Sequence, residues 1–205
     1  EALQAEDRPI AAILEYPAAN GTAPIEAPNI VPALSRSMPN IALIGAGKFI
    51  MGTHVPILRD LSDKVHIAAI VGRSGDRAAE TAKKLGAEIA STDVDEVLGN
   101  NDIDAVIIGT RHNLHASLTL KALNAGKHVL VEKPLAVNPD ELSEIESFYA
   151  TDDHPFRPVL LTGFNRRFAP LVTRLREWLS ELEPPYLMNY QMNAGFMAPD
   201  HWLRT

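Results

Sequence analysis

The tripeptide Glu132-Lys133-Pro134 ends the short apolar run Val129–Val131 with two charged side chains and a proline. Such a run predicts a buried strand, and α/β sheets build ligand sites at the carboxyl ends of their strands. A lysine ammonium normally has a pKa of about 10.4, but desolvation or a neighbouring cation lowers that pKa and makes lysines usable in acid/base chemistry near neutral pH. Lys133 is therefore a candidate acid/base residue. An ordinary surface Lys-Pro pair is the alternative interpretation.

A second candidate site follows the apolar run Ile41–Ile44, where the chain continues Gly45-Ala46-Gly47-Lys48-Phe49-Ile50. The two glycines match the first two of the dinucleotide fingerprint: one permits a tight turn, and the other lets the backbone approach a pyrophosphate at a helix N-terminus. The third fingerprint position is Ile50 instead of glycine or alanine. A strand before the turn and a helix after it favour nucleotide binding over a purely structural turn.

The end of the second predicted strand bears on the choice of cofactor. NAD-specific folds usually place an acidic residue there for the ribose hydroxyls, whereas an arginine accommodates the extra phosphate of NADP. This chain has Arg73 and Ser74, and no acid comes before Asp76. The sequence thus predicts NADP or NAD as cofactor, with NADP preferred. A solvated arginine in a loop is the alternative.

Two histidines follow the predicted strand Ala105–Ile108, in the segment that begins Thr110-Arg111. His112 and His115 are three residues apart, but no nearby carboxylate or cysteine completes a metal-ligand set. We therefore predict no metal site. The segment is expected to line the cofactor cleft, with His115 starting the next helix, and His54 and His128 are expected to be structural.

The elements that must position these residues alternate along the chain. Short β-branched apolar runs predict strands, and the stretches between them predict helices. This alternation predicts an α/β fold with a doubly wound parallel Rossmann sheet. The predicted strands are Ile41–Ile44, Val65–Val71, Ala105–Ile108, Val129–Val131 and Val159–Thr162, and the predicted helices are Ile50–Leu61, Asp76–Leu85, Asn113–Ala125, Pro139–Tyr149 and Pro170–Leu182.

Three segments are predicted. Residues 1–38 are proline-containing without a sustained period, which indicates a linker or the end of a preceding module. Residues 39–165 form the predicted dinucleotide-binding domain. Residues 166–205 are expected to form a connecting helix and the first part of a truncated α/β substrate domain, including a strand at Tyr186–Asn193.

The composition of the chain argues against several kinds of partner and chemistry. The 205 residues carry a formal net charge of −7, which argues against nucleic acid or an anionic membrane as a partner. No apolar stretch reaches the roughly 20 residues of a membrane-spanning helix. There are 0 cysteines, so disulfides and thiolate chemistry are excluded. The cytoplasm is the expected location, and a small molecule is the expected partner.

Several motifs in combination resemble the Gfo/Idh/MocA oxidoreductases. They are Gly45-Ala46-Gly47, Thr110 to His115, Ala125 to Val129 and Glu132-Lys133-Pro134. The later segments Gly163 to Pro170, Asn193 to Gly195 and His201-Trp202 are similar to a branch in which such a module follows a zinc alcohol dehydrogenase-like module. The resemblance spans residues 40–203.

The resemblance implies a Rossmann domain that binds NAD(P), followed by an open antiparallel α/β domain that supplies the substrate floor and an interface for a homo-oligomer. It assigns Lys133 to the substrate hydroxyl, a cis peptide to Lys133–Pro134, and Arg167 to the nicotinamide or substrate. Family members carry an Asp/His pair further on, so the chain is expected to be a fragment without activity alone. The expected cofactor contacts are Gly45, Gly47, Lys48, Phe49, Ile50, Arg73, Ser74, Thr110, Arg111, His115, Glu132 and Arg167.

Two functions remain open from the sequence. The first is an NAD(P)-dependent oxidoreductase that transfers hydride between nicotinamide and a sugar or sugar-nucleotide carbinol, with Lys133 handling the hydroxyl proton. The second is a regulatory or scaffold module that binds NAD(P) without chemistry. Turnover by the natural protein separates them.

Overall fold

The computed structural model describes residues 38–150, 157–183, 187–189, 191 and 196. The chain divides into two compact units between Gly163 and Phe164, and each unit is described by itself. The predicted linker lies outside the described residues except for Met38. The predicted strand Tyr186–Asn193 also lies mostly outside them, and residues 187–189 are not in a strand.

The first unit is built on a six-stranded sheet in which every pairing is parallel. The strands are β1 Asn40–Ile44, β2 His66–Val71, β3 Ile89–Ser91, β4 Ala105–Ile108, β5 His128–Val131 and β6 Leu160–Thr162. The strand order is β3-β2-β1-β4-β5-β6, so the direction of winding reverses between β1 and β4. This is the Rossmann arrangement, and it confirms the predicted doubly wound sheet.

Helices cover the connections between these strands. The helices are α1 Val55–Asp60, α2 Gly75–Leu85, α3 Val94–Leu98, α4 His115–Asn124, α5 Pro139–Ala150 and α6 Pro170–Ser180. A π-helical segment, Ile50–His54, precedes α1, and short 3-10 turns occupy His112–Leu114 and Asn165–Phe168. Gly86 ends α2 with a φ of +74°, a left-handed conformation that glycine adopts without steric cost.

Apolar side chains cover both faces of the sheet. Ala42 and Ile44 of β1 point into one core, which α3, α4 and α5 close. Ile41 and Leu43 point into the other, which α1 and α2 close. Because successive strand residues face opposite sides, burial on both faces requires continuously apolar strands. This burial on both faces explains the apolar runs from which β1, β2, β4 and β5 were predicted.

Two elements were absent from the sequence prediction. β3 has three residues, and its middle residue Ala90 is exposed, so it leaves no apolar run. α3 has five residues and is capped by Asp93, whose side chain accepts from the Asp95 N–H. The predicted helix Ile50–Leu61 is a π-helical segment followed by α1.

Lys127, just before β5, is a buried lysine with a structural role. Its Nζ donates to the carbonyl oxygens of Asn100 and Ile103, both at 2.8 Å. Burial lowers the pKa of Lys127, and the charge of Asp104 opposes that shift. Next to it, His128 accepts the Val159 N–H at Nδ1, 3.0 Å away, so His128 helps to attach the segment before β6, as the structural role predicted for it requires.

The second unit contains the 3-10 turn Asn165–Phe168 and α6. Arg167 donates from Nε to the Phe164 carbonyl at 3.2 Å and lies over the rings of Phe164 and Phe168. On α6, Arg174 pairs with Glu177 at 2.8 Å.

Candidate functional site

Three chain segments leave the sheet at one level of its carboxyl edge. The strand register aligns Ile44 of β1 with Ile108 of β4, and Ile108 with Val131 of β5. Backbone hydrogen bonds continue this alignment past the strand ends, from the Gly109 N–H to Ile44 and from the Glu132 N–H to Ile108, both at 2.9 Å. The glycine turn, the Thr110 segment and the Glu132-Lys133-Pro134 segment therefore begin side by side, at the point where the strand order reverses.

The glycine turn is held by its own backbone and by its neighbours. Gly45 has a φ of +84°, and a Cβ there would lie 2.8 Å from Thr110 Cγ2. Its N–H donates to Val71 at 2.9 Å, and the Gly47 N–H donates to Gly45 at 2.7 Å. Gly45 must therefore be glycine for reasons of backbone conformation and space.

Gly47 differs from Gly45, because the protein leaves the space beside it open. The nearest atom to a Cβ added at Gly47 would be the Gly45 carbonyl oxygen, at 3.9 Å. The following residues, Lys48 and Phe49, are exposed. No packing in the described structure therefore requires glycine at position 47, whereas the close approach of a ligand to the turn would require it.

Ile50 occupies the third fingerprint position and is 1% exposed. Its side chain packs directly on the backbone of Gly109, where an added Cβ would lie 2.2 Å from Ile50 Cγ1 and 2.5 Å from Cδ1. The third glycine normally allows close packing of the helix on the strand. Here the glycine of the close contact is Gly109, directly after β4, instead of a residue at the third fingerprint position. This arrangement accounts for the isoleucine at position 50.

His54 and Glu132 form a hydrogen-bonded pair at this edge. His54 Nε2 lies 2.7 Å from Glu132 Oε1, and the two side chains are 17% and 11% exposed. Because a carboxylate oxygen only accepts, Nε2 carries the hydrogen of this contact. Sequence reasoning assigned His54 a structural role and missed its partner, which lies 78 residues away.

Lys133 is exposed, and the Lys133–Pro134 peptide is cis, as predicted. The backbone N–H of Lys133 donates to Glu132 Oε2 at 3.3 Å. Glu132 itself is buried, so the lysine and the preceding carboxylate occupy different environments, as adjacent residues on opposite sides of an extended chain should.

His115 starts α4, as predicted, but its ring is buried at 1% exposure. Its Nδ1 lies 2.7 Å from the Pro134 carbonyl oxygen and its Nε2 lies 3.2 Å from that of Thr110. Both ring nitrogens thus lie within hydrogen-bond distance of backbone carbonyl oxygens. Through these contacts His115 connects the segment after β4 to the segment after β5. A direct contact from His115 to the cofactor stays a prediction.

His112 lies beside this ring, with centroids 5.6 Å apart. Partial burial, followed by the nearby His115 and Lys133, lowers the pKa of His112. Among the residues that the structure describes, no group of three or more histidine, aspartate or glutamate side chains could hold a metal ion. The same residues contain no helix with the length and apolarity to cross a membrane.

The end of β2 supplies exposed polar groups near the glycine turn. Arg73 and Ser74 are exposed. Ser74 caps α2 with an extended backbone and makes no side-chain capping bond, although its carbonyl accepts from the Ala78 N–H at 2.9 Å. The first acid after β2 is Asp76, inside the first turn of α2. Arg167 belongs to the second unit, so its predicted role stays a prediction.

Comparison with known proteins agrees with this arrangement. Residues 39–154 match the GFO_IDH_MocA family model, described as an oxidoreductase family with an NAD-binding Rossmann fold. The chain is 40% identical over 130 residues to a 4-carboxy-2-hydroxymuconate-6-semialdehyde dehydrogenase from Sphingobium, and 35% identical over 139 residues to a myo-inositol 2-dehydrogenase from Thermotoga maritima. These matches cover 63% and 67% of this chain and 39% of each relative.

Two solved structures with the same fold contain nicotinamide cofactors. A 3-ketoreductase from Actinomadura kijaniata in complex with NADP is 26% identical, with a TM-score of 0.61 over 70% of this chain and 42% of that one. A levoglucosan dehydrogenase in complex with NADH is 28% identical, with a TM-score of 0.61 over 70% of this chain and 39% of that one. The chain thus spans less than half the length of the proteins that it matches here.

Proposed function

Since the chain belongs to the Gfo/Idh/MocA family of oxidoreductases with an NAD-binding Rossmann fold, we propose that it binds NADP or NAD at its glycine turn and serves hydride transfer to or from a sugar-like carbinol. The observation that carries the proposal is the shared edge of the sheet. The glycine turn follows β1 and Lys133 follows β5, with β4 between them, so the two lie about two strand spacings or roughly 10 Å apart.

The glycine turn fits a dinucleotide. Gly45 allows the left-handed turn, and the open space beside Gly47 admits a pyrophosphate against the backbone. Exposed Lys48 offers a positive charge at the same turn. When bound, the nicotinamide accepts or supplies the hydride.

Lys133 would handle the substrate's hydroxyl proton. A group that moves this proton must lie within hydrogen-bond reach of the oxygen. The lysine projects into solvent from a segment that Glu132 and His115 hold on both sides. During oxidation it accepts the hydroxyl proton as the carbonyl forms, and during reduction it returns that proton.

The sugar-like substrate is proposed from the relatives. They include a myo-inositol 2-dehydrogenase and a levoglucosan dehydrogenase, and also a semialdehyde dehydrogenase. A polyol or cyclic sugar is the substrate class that most of these names share. The substrate floor, the homo-oligomer interface, the preceding zinc alcohol dehydrogenase-like module and the cytoplasmic location stay predictions from the resemblance and the composition.

Filling the space beside Gly47 tests the cofactor site. Gly47→Val is expected to weaken NADPH binding by at least about a hundredfold, because its side chain would occupy the place of the pyrophosphate. Titration of NADPH and NADH fluorescence with the 205-residue chain measures the affinity.

Gly52→Val is the matched control for this experiment, because an added Cβ there meets no atom within 4 Å. It should leave the affinity within about threefold of the wild type, since Gly52 lies outside the turn that approaches the phosphates. Equal affinity of Gly47→Val and the wild type, or no binding by the folded wild type, would contradict the proposed site.

We expect Arg73 to favour NADP. Arg73→Asp should shift the ratio of NADPH to NADH affinities toward NADH by at least about tenfold, because a carboxylate repels the extra phosphate and accepts from ribose hydroxyls. The same titrations measure this ratio. Arg59→Asp, an exposed charge reversal on α1, controls for the change in net charge. An unchanged ratio in Arg73→Asp would show that Arg73 is a solvated loop residue.

A further inference from the structure

Resting on the function proposed above, we infer that His54 is a positioning residue for Lys133. Through Glu132 it fixes the backbone from which the lysine projects, and it links that backbone to the glycine turn. Three groups are in contact here: the His54 imidazole at Nε2, the Glu132 carboxylate and the Lys133 amide nitrogen.

The Glu132 carboxylate is enclosed on three sides. Oε1 accepts from His54 at 2.7 Å, and Oε2 accepts from the Lys133 N–H at 3.3 Å. On the third side lies Gly163, where an added Cβ would be 2.9 Å from Oε1 and 3.0 Å from Cδ and Oε2. One carboxylate therefore joins the imidazole of His54 directly to the amide of the lysine.

Strand pairing alone does not require this pair. The Glu132 N–H already bonds to Ile108 at 2.9 Å, and the Gly163 N–H bonds to Val131 at 2.8 Å, so β5 is fixed on both sides by backbone. A buried carboxylate is costly unless it is paired and hydrogen-bonded. Well-packed apolar residues often stabilise a fold as much as a buried ion pair does. A role at the site explains why polar groups occupy this position.

The π-helical segment orients the His54 side chain toward Glu132. The Val55 N–H bonds to Ile50, five residues back, in place of the four-residue spacing of an α-helix. The extra residue rotates the side chains that follow by about 100° relative to a regular α-helix. Such π-helical turns are frequent at functional sites. The insertion lies between the glycine turn and His54, so it sets the histidine's direction while Ile50 stays packed on Gly109.

Phe49 extends the connection to the glycine turn. Its ring meets that of His54 edge-on, with centroids 5.8 Å apart, and it is 49% exposed. Phe49 is one of the cofactor contacts predicted from the sequence, and it touches His54, which in turn touches the carboxylate that holds the Lys133 amide. Cofactor binding is thereby coupled to the position of the lysine backbone.

Amide NMR on the ¹⁵N-labelled 205-residue chain tests this coupling, with NADP⁺ and NAD⁺ as probes. His54→Met removes the donor, whereas His54→Gln keeps an N–H near the position of Nε2. His66→Met is the matched control, because His66 also bonds to a glutamate, Glu88 at 3.0 Å, in an exposed pair at the start of β2.

We expect His54→Met to speed hydrogen exchange at the Lys133 amide on the order of tenfold, with the rest of the sheet unchanged. It should also abolish the shift of this amide on cofactor addition. His54→Gln should stay within about threefold of wild type, and His66→Met should change neither measurement. An unaffected Lys133 amide in His54→Met, or equal effects of methionine and glutamine, would overturn the inference.

Two further readouts separate the possible failures. If the wild type binds neither cofactor, the proposed function fails, but the exchange rates still decide whether His54 holds the Lys133 amide. If His54→Met does not fold, the imidazole tautomer in the wild type decides. A hydrogen on Nε2 supports the inference, and a neutral ring protonated only at Nδ1 overturns it.

Discussion

Replacing Lys133 with methionine is expected to lower turnover of the natural protein by about 10²- to 10⁴-fold, the usual contribution of general acid/base catalysis. Methionine approximates the length of the lysine stem but carries no proton to exchange. The cofactor should still bind, because the proposed site assigns the phosphates to the glycine turn and only the substrate's oxygen to the lysine. Absorbance of the reduced nicotinamide, followed over a panel of sugars and polyols that includes myo-inositol, measures turnover.

Two further variants separate proton transfer from charge alone. Lys133→Arg keeps the positive charge, but a guanidinium does not release its proton in proteins, so it should be nearly as inactive as the methionine variant. Lys64→Met removes an exposed lysine outside the site and should retain wild-type turnover. Activity of Lys133→Arg near the wild-type level would show that charge, and not proton transfer, is the lysine's contribution.

The same assay decides between the two functions that the sequence left open. A natural protein that binds NADPH but turns over no member of the panel would favour the regulatory or scaffold module. Turnover that survives Lys133→Met would assign the acid/base role to another residue. His112 would be the next candidate, because it lies near Lys133 and its pKa is lowered by partial burial and by the neighbouring His115 and Lys133.

The sequence predicted the sheet because burial on both faces leaves an unbroken apolar run. It predicted where a site would lie for a related reason, since residues directly after such runs must lie at the carboxyl edge of a parallel sheet. Lys133 and Gly45 were chosen as candidate site residues in this way, and their roles stay predictions. β3 was not predicted, because a three-residue strand with an exposed middle residue leaves no apolar run in the sequence.

The contacts that hold the site could not be predicted in the same way. His54 reaches Glu132 only because a π-helical turn changes its direction, and a π-helical turn leaves no sequence period. His115 looked like a residue lining the cleft, yet both ring nitrogens lie against backbone carbonyl oxygens. Such pairings depend on strand register and on local helix geometry, and neither is encoded in residue spacing.

Ile50 shows how a departure from a motif can preserve the packing that the motif serves. The fingerprint asks for a small third residue so that the helix can approach the sheet. In this chain the approach depends instead on Gly109, which follows β4 and lies outside the motif. Gly109 would be recognised from sequence only by knowing that β4 lies next to β1, a fact of topology.

Gly109→Ala is therefore expected to destabilise the protein by about 1–3 kcal/mol or more, the cost of overpacking a core. Its Cβ would lie 2.2 Å from Ile50 Cγ1, and Ile50 is 1% exposed, so the isoleucine has no open space to move into.

Ile50→Ala alone should cost about 2–5 kcal/mol through the cavity that it leaves. In the double variant the new methyl fills part of that cavity, so the combined cost should fall below the sum by at least about 1 kcal/mol. Urea unfolding of the four proteins measures this coupling, and Gly52→Ala, which meets no atom within 4 Å, controls for the loss of a glycine. Additive costs would show that Ile50 does not pack on Gly109, and the account of the altered fingerprint would then be wrong.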